Sequence, residues 1–266
     1  MSLCFITDLH LGRDLTKSWA EPVCMLPASE LVQRLKHVLI AERVDCLVLG
    51  GDMIEHGDEH HINALVDLFR LIYLPTLVCF GNHDLASADA RSSWRAAMTR
   101  WPQATLADAC VDAGEMQVIG MNTRWLIDHE PREVWSPSAG CLPALSDAQR
   151  AWLRETIDTL TRPTAIVLHA PLHTLAMHEP RDGQAAHQTL TYRAAVEAEL
   201  ALAARGHLVK AILGGHVHFA SVARHERLLI TNSAMSETPA CVRVLRWLDD
   251  GLQMKNIALA PDDDER

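Results

Sequence analysis

Asn82, His83 and Asp84 place an amide, an imidazole and a carboxylate side by side, directly after the apolar run Thr76–Phe80 and Gly81. Four other places in the chain have the same form. Asp8 and His10 follow Leu3–Thr7. Asp52 follows a run that closes on Gly50-Gly51, and His169 follows Thr164–Leu168. His216 and His218 follow a run that closes on Gly214-Gly215. Each has a plain reading on its own. Gly-Asn and Gly-Asp are turn formers, and a single His after a strand is more often hydrogen-bonded structure than a ligand. Gly-His-x-His says more, because residues i and i+2 point the same way on an extended segment. All five in chain order, each after an apolar run, are hard to obtain from turns alone.

The donors on offer are carboxylate oxygens, imidazole nitrogens and one amide oxygen, with no thiolate. Such a set suits Mn, Fe, Co or Zn better than Ca or Mg. Seven candidate ligands are too many for one ion with open positions. They suit two ions that share a bridging carboxylate. Two-metal sites with ions roughly 3.5–4 Å apart serve phosphate-ester hydrolysis, one ion activating water while both neutralise phosphoryl oxygens.

The elements that must position these residues are legible. Leu3–Thr7, the stretch VDCLVLG and Thr76–Phe80 read as three continuously apolar strands, as expected of strands covered on both faces. Between them lie two amphipathic helices, ELVQRLKHVLIAERV with Ser29 as its cap and EHHINALVDLFRLI with Asp58 as its cap. The β-α-β-α-β pattern implies a parallel sheet with crossover helices. A helix around SSWRAAMTRW follows, then two strands, ATLADACVD and EMQVIGMN, turning near Ala113-Gly114. Residues 122–145 read as a long irregular loop. Ser146-Asp147-Ala148-Gln149 is a capping-box pattern opening a helix. TAIVL is a strand, residues 170–190 read as a second long loop, Thr191 as the cap of a helix, and LVKAIL as a strand. The last fifty residues are strand-like, with a tight turn at Asp249-Asp250-Gly251. Ligands in open α/β sheets bind outside the carboxyl ends of strands, so distant segments would deliver their polar groups to one place.

Composition narrows the rest. The chain has 266 residues, 48% of them apolar, and a formal net charge of -10. That balance argues against broad nucleic-acid or membrane binding. The seven cysteines include no C-x-x-C pair and read as reduced thiols. No basic region followed by an apolar segment opens the chain, and no apolar run approaches the roughly 20 residues of a membrane helix. A cytoplasmic protein is expected. One domain is expected over residues 1–260, followed by an acidic tail at 261–266.

Asp8-x-His10, Gly51-Asp52, Gly81-Asn82-His83-Asp84, His169 and Gly215-His216-x-His218 together resemble the signature of the calcineurin-like metallophosphoesterase family, over roughly residues 3 to 233. The stretch GCLPALSDAQRAWLRETI also resembles a segment common in the branch similar to class III cyclic-nucleotide phosphodiesterases. The resemblance implies a four-layer α/β/β/α sandwich of two mixed sheets flanked by helices. It implies one ion on Asp8, His10, Asp52 and His218, and a second on Asp52, Asn82, His169 and His216. The ions would be Mn, Fe or Zn, and a hydroxide bridging them would attack phosphorus. His83 would contact the substrate phosphate and protonate the leaving oxygen, with Asp84 holding its ring.

Three positions differ from, or add to, the family pattern. Cys79-Phe80 stands where the family often has a proline. Glu55 lengthens an acid the family often has as Asp. Arg13, close behind the first motif, could meet a phosphate. The expected activity is hydrolysis of a phosphate ester, a diester in preference to a monoester. A nuclease or phosphomonoesterase of the same fold is the alternative, and a catalytically silent binding scaffold a more distant one. The substrate would be small and nucleotide-like rather than extended nucleic acid. Its identity would be set by residues 122–145 and 170–190, where Trp125, Trp135, His173 and His178 could line a wall or pack the loops down.

Overall fold

A computed structural model of the chain describes residues 2–16, 22–127, 129–135, 142–172, 183–224, 226–248 and 251–260, with the side chains of 183–190 also outside that set. In the first half, strands β1 (Ser2–Ile6), β2 (Cys46–Leu49), β3 (Thr76–Val78) and β4 (Ala104–Leu106) alternate with helices α1 (Ala28–Ala41), α2 (Glu59–Phe69) and α3 (Ala90–Met98). The four strands pair in parallel, with Leu3 opposite Cys46 and Leu47 opposite Thr76. Next come β5 (Ala109–Ala113), β6 (Met116–Met121), β7 (Arg124–Ile127), β8 (Glu130–Arg132), β9 (Pro143–Ala144), α4 (Asp147–Asp158) and β10 (Thr164–Leu168). The chain continues through α5 (Gly183–Leu202), β11 (Val209–Gly214), β12 (Ser221–Arg224), β13 (Leu228–Thr231), β14 (Cys241–Leu248) and β15 (Gly251–Ala258).

Two mixed six-stranded sheets result, ordered β15-β14-β1-β2-β3-β4 and β12-β13-β11-β10-β6-β5. Burial explains why they stack. Alternate residues of the central strands, such as Leu3, Phe5, Val48 and Leu77, meet Val118, Val167, Ala211 and Leu213 from the facing sheet. The opposite faces pack under α1–α3 on one side and under α4–α5 on the other. A strand buried on both faces must be apolar at every position, and β1, β2 and β10 are buried throughout. The expected four-layer order is the one observed. Among the described residues no helix is long and apolar enough to cross a membrane.

Several local expectations hold and others need correction. Asp58 caps α2, accepting the His61 N–H at 3.0 Å, and both halves of the Ser146–Gln149 capping box are present. Ser29 does not cap α1. The N-cap is Pro27, whose fixed φ sets the entry angle, and Ser29 lies inside the first turn. Thr191 is no cap either, because α5 begins at Gly183. The Gln- and Ala-rich start of that helix has helical propensity without an apolar stripe, so periodicity missed it. ATLADACVD is not one strand. Its first part is β4 in the first sheet, and its second is β5 in the other, antiparallel to β6. Residues 122–145 are not an irregular loop throughout. They form a small sheet of order β8-β7-β9, with strands of two to four residues, too short to show a period. β12 escaped sequence reading for the same reason. Of the 170–190 loop, residues 173–182 lie outside the described residues, as do Asp249-Asp250 and the acidic tail at 261–266.

One residue between the sheets is out of character. Arg243 on β14 is 3% exposed, and Nη1 donates a long bond of 3.4 Å to the Ser221 carbonyl. Burial holds its guanidinium below the usual value, and no carboxylate among the described residues faces it. A buried charge without a facing carboxylate is destabilising, and an apolar replacement of similar volume is often stabilising. Arg243→Met is therefore expected to raise the thermal midpoint by about 2 °C or more in a scanning fluorescence melt. A lower midpoint would contradict this account of the position.

Candidate metal centre

The carboxyl ends of β1, β2, β3, β10 and β11 meet at one edge of the sandwich, and all seven expected ligands converge there. Five of them, Asp8, His10, Asp52, His216 and His218, have φ between 47° and 70°. This left-handed region is unfavourable for most side chains, and Asp, Asn and His enter it more readily than others. Backbone bonds hold them in it. The Asp8 N–H donates to Gly51 O and the His10 N–H to Asp52 O, both at 3.0 Å, and the Gly215 N–H donates to His169 O at 2.9 Å. Glycine is required where segments touch. A Cβ on Gly81 would stand 2.1 Å from Asp52 Oδ1, and one on Gly215 would stand 2.1 Å from Thr7 Oγ1 and 2.5 Å from Asp8 Oδ2.

The side chains fall into two groups that share Asp52. In the first, Nε2 of His10 lies 3.1 Å from Nε2 of His218, 3.9 Å from Asp8 Oδ1 and 4.0 Å from Asp52 Oδ2. His218 Nε2 is 3.6 Å from Asp8 Oδ1. In the second, His169 Nε2 lies 3.1 Å from Asp52 Oδ2, and His216 Nδ1 lies 3.0 Å from Asn82 Oδ1. Asp8, His10 and His218 bring ligand atoms within 4.8 Å of one another, as do Asp52, His169 and His216. The Nε2 atoms of His10 and His218, 3.1 Å apart, and the buried Nε2 of His169, 3.1 Å from Asp52 Oδ2, are placed to serve cations between them. Oxygen and imidazole donors at this spacing fit two transition-metal ions.

Partners behind the ligands fix the rings. Glu55 Oε2 lies 2.8 Å from His10 Nδ1, Gly50 O lies 3.0 Å from His169 Nδ1, and Glu237 Oε1 lies 3.2 Å from His218 Nδ1. Such partners set the tautomer and aim Nε2 at an ion. Asp8 is held in turn by the Thr7 hydroxyl at 2.7 Å and the His216 N–H at 3.1 Å.

His83 sits at the rim of this group, with Nδ1 3.0 Å from Glu55 O and its N–H donating to Asp52 Oδ1 at 2.8 Å. The expectation that Asp84 holds the His83 ring is not met. Asp84 turns inward and accepts the N–H groups of Met53 (3.0 Å), Ile54 (3.2 Å) and Gly81 (2.9 Å). On the single 3-10 turn His83–Leu85 the two neighbours have different surroundings, Asp84 fully buried and His83 partly exposed. Asp84 thus ties the second motif to the third, and the acceptor for the His83 ring is the Glu55 carbonyl.

The electrostatics of these side chains favour added positive charge. Burial by itself would raise Asp52, yet His169, His10 and His83 hold it well below the usual carboxylate range. His169 answers it: burial opposes its charged form, but Asp52 lifts it to about 9. His216, buried beside that charge, is pushed down to about 3. Burial and the negative charge of Asp52 raise Asp84 to about 7. Asp52 thus favours positive charge beside it, which a bound cation would also supply.

The small sheet covers one side of the centre. Trp125 of β7 is fully buried, its ring 5.5 Å from that of His216, and Trp135 stacks on His83 at 5.4 Å and 28°. Trp125 belongs to the core under the second sheet, so it packs the segment down. His173 and His178 lie outside the described residues. Arg13 is buried, with Nη1 donating to Ser236 Oγ at 2.8 Å and standing 3.6 Å from Glu237 Oε1. Glu237 and Ser236 were invisible to motif reading, because they sit in an irregular stretch after β13. Glu55 stood out only as a departure from the family acid.

The sequence profile of the calcineurin-like phosphoesterases matches residues 1–220. A tRNA dimethylallyltransferase from Leptothrix cholodnii is 28% identical over 131 residues, covering 48% of this chain. The match takes in 35% of that protein, so the chain spans about a third of the length of the curated relative it matches. Among solved structures, a dimetal phosphatase from Danio rerio superposes with a TM-score of 0.70 at 14% identity, over 98% of this chain and 96% of that one. A sulfate thiohydrolase from Thermus thermophilus gives 0.57 at 13%, over 97% and 56%. At such identities these two are likenesses of fold. The profile match covers well over half of the chain and starts at its first strand, and the chain belongs to the calcineurin-like phosphoesterase family.

Proposed function

We propose that the chain is a metal-dependent phosphoesterase that hydrolyses small phosphate esters, diesters in preference to monoesters. The observation that carries this is Asp52, whose Oδ2 lies 3.1 Å from His169 Nε2 and 4.0 Å from His10 Nε2, between two histidine-bearing groups with His83 at the rim. Asp8, His10, Asp52 and His218 would hold one ion, and Asp52, Asn82, His169 and His216 the other. Bound there, Mn, Fe or Zn would activate water and neutralise phosphoryl oxygens. Glu55 orients His10 through its carboxylate and His83 through its carbonyl, which accepts from Nδ1 and leaves Nε2 free of Glu55; in its imidazolium form His83 would give the Nε2 proton to the departing oxygen and be left neutral. Asp84 keeps the two motif loops in register, which makes it a positioning residue. The diester preference is supported by the resemblance of residues 140–157 to the phosphodiesterase-like branch. A cytoplasmic setting is supported by reduced thiols, since the six described cysteines are all free.

Chelation tests this reading. Protein stripped with a chelator is expected to lose hydrolysis of bis-p-nitrophenyl phosphate and to regain it with Mn, at a rate above that on p-nitrophenyl phosphate. Cyclic AMP, a glycerophosphodiester and a short oligonucleotide in the same assay would rank the diesters. Absence of hydrolysis of every ester with each of Mn, Fe and Zn would overturn the proposal.

A further inference from the structure

The stretch that follows β13 returns to the end of β1 and joins the first ligand group from behind. The Met235 N–H donates to Thr7 O and the Ser236 N–H to Asp8 O, both at 3.1 Å. The Arg13 N–H donates to His10 O at 2.9 Å, which closes a turn behind the second ligand. Side chains complete the connection. Arg13 Nη1 donates to Ser236 Oγ at 2.8 Å and stands 3.6 Å from Glu237 Oε1. The same Glu237 oxygen lies 3.2 Å from His218 Nδ1. Ser236, Arg13 and Glu237 therefore touch Asp8, His10 and His218, one each, and touch one another.

The charged pair is deeply placed, the Arg13 side chain 4% exposed and that of Glu237 2%. A buried ion pair often adds nothing to stability compared with apolar residues, so another role has to account for it. An arginine that reads a substrate phosphate presents its donors to an open cleft, whereas Arg13 Nη1 is engaged by Ser236 beside a carboxylate. A carboxylate behind a metal-binding histidine fixes the ring and strengthens its hold on the ion. His169 of the second group is backed by a backbone carbonyl instead, Gly50 O at 3.0 Å. Ser236 and Glu237 also lie past residue 220, where the family match ends.

We propose that Arg13, Ser236 and Glu237 form one positioning unit for the first ion. Glu237 fixes the ring of His218, and Arg13 with Ser236 fixes Glu237. Arg13 serves retention of that ion and does not bind the substrate phosphate. The inference rests on the two-ion reading above.

Calorimetric titration of chelator-stripped protein with Mn tests this. Glu237→Gln keeps the shape of the side chain and removes its charge. It is expected to weaken one of the two ions about 10–100-fold and to leave the other as in the wild type. In an Asn82→Ala background, where the ion of the second group is already weakened, the same loss is expected on the tighter ion that remains. Ser236→Ala removes only the anchor of Arg13. It is expected to weaken the same ion about two- to tenfold, and it carries the test if Glu237→Gln does not fold. Arg13→Met is expected to weaken that ion too, and to leave KM for bis-p-nitrophenyl phosphate unchanged at saturating Mn. Wild-type affinity for both ions in Glu237→Gln and in Ser236→Ala would overturn the positioning unit and leave the phosphoesterase reading standing. So would a raised KM in Arg13→Met with both ions held as in the wild type. A wild-type protein that takes up no second ion and hydrolyses no ester would remove the two-ion reading and this inference together.

Discussion

Asp52→Asn is expected to lower hydrolysis of bis-p-nitrophenyl phosphate on the order of 10³-fold in the presence of saturating Mn, with the fold retained. The side chain keeps its shape and one acceptor, so the 2.8 Å bond from the His83 N–H can persist. What is lost is the charge. Asp52 faces the imidazoles of both groups, with Oδ2 3.1 Å from His169 Nε2 and 4.0 Å from His10 Nε2. An amide in its place leaves the second group with two imidazoles and two amides, a much weaker set for a divalent cation. Metal content should fall below two ions per chain alongside the rate. An unchanged rate would contradict the dinuclear account, while circular dichroism of the variant separates loss of charge from loss of fold.

His83→Ala is expected to lower turnover about 10²–10⁴-fold while both ions stay bound. His83 faces the metal centre from the rim, and its ring nitrogen Nδ1 is engaged by Glu55 rather than by any of the seven ligands. Removing the ring takes away a proton donor and a stacking partner of Trp135 and leaves the ligand set intact. Asn82→Ala should behave in the opposite way, weakening the ion of the second group, because Asn82 Oδ1 faces His216. The pair of variants, assayed for metal content and kcat on the same samples, separates the neighbouring roles. Loss of an ion in His83→Ala would contradict the division.

How much of this could be read from the chain depended on what kind of signal each residue carries. β1, β2, β3 and β10 are buried on both faces, and continuous apolar runs announce such strands without ambiguity. The five polar clusters stood out because each interrupts one of those runs at its carboxyl end. Their convergence follows from parallel pairing, which aligns those ends. The left-handed backbone at Asp8, His10, Asp52, His216 and His218 was not legible. It depends on contacts such as that between Asp8 and Gly51, which are 43 residues apart.

The roles of Asp84 and Glu55 do not follow from sequence adjacency, for a related reason. Adjacent residues on a 3-10 turn point in different directions, so the sequence neighbour of His83 could not serve it, whereas the backbone of Glu55 could. Glu237 and Arg13 reach the site through irregular backbone, where neither period nor motif applies. The β7–β9 sheet was hidden by strand length, and with it the placing of Trp125 and Trp135 over His216 and His83.

In the proposed site, seven side chains from five strand ends would hold two ions through one shared carboxylate. Elemental analysis of wild-type protein, stripped with a chelator and reloaded to saturation with Mn, tests it most directly when turnover is measured on the same samples. Two ions per chain are expected at full activity, with activity rising only as the second ion is taken up. Full activity at one ion per chain, or at none, would contradict it.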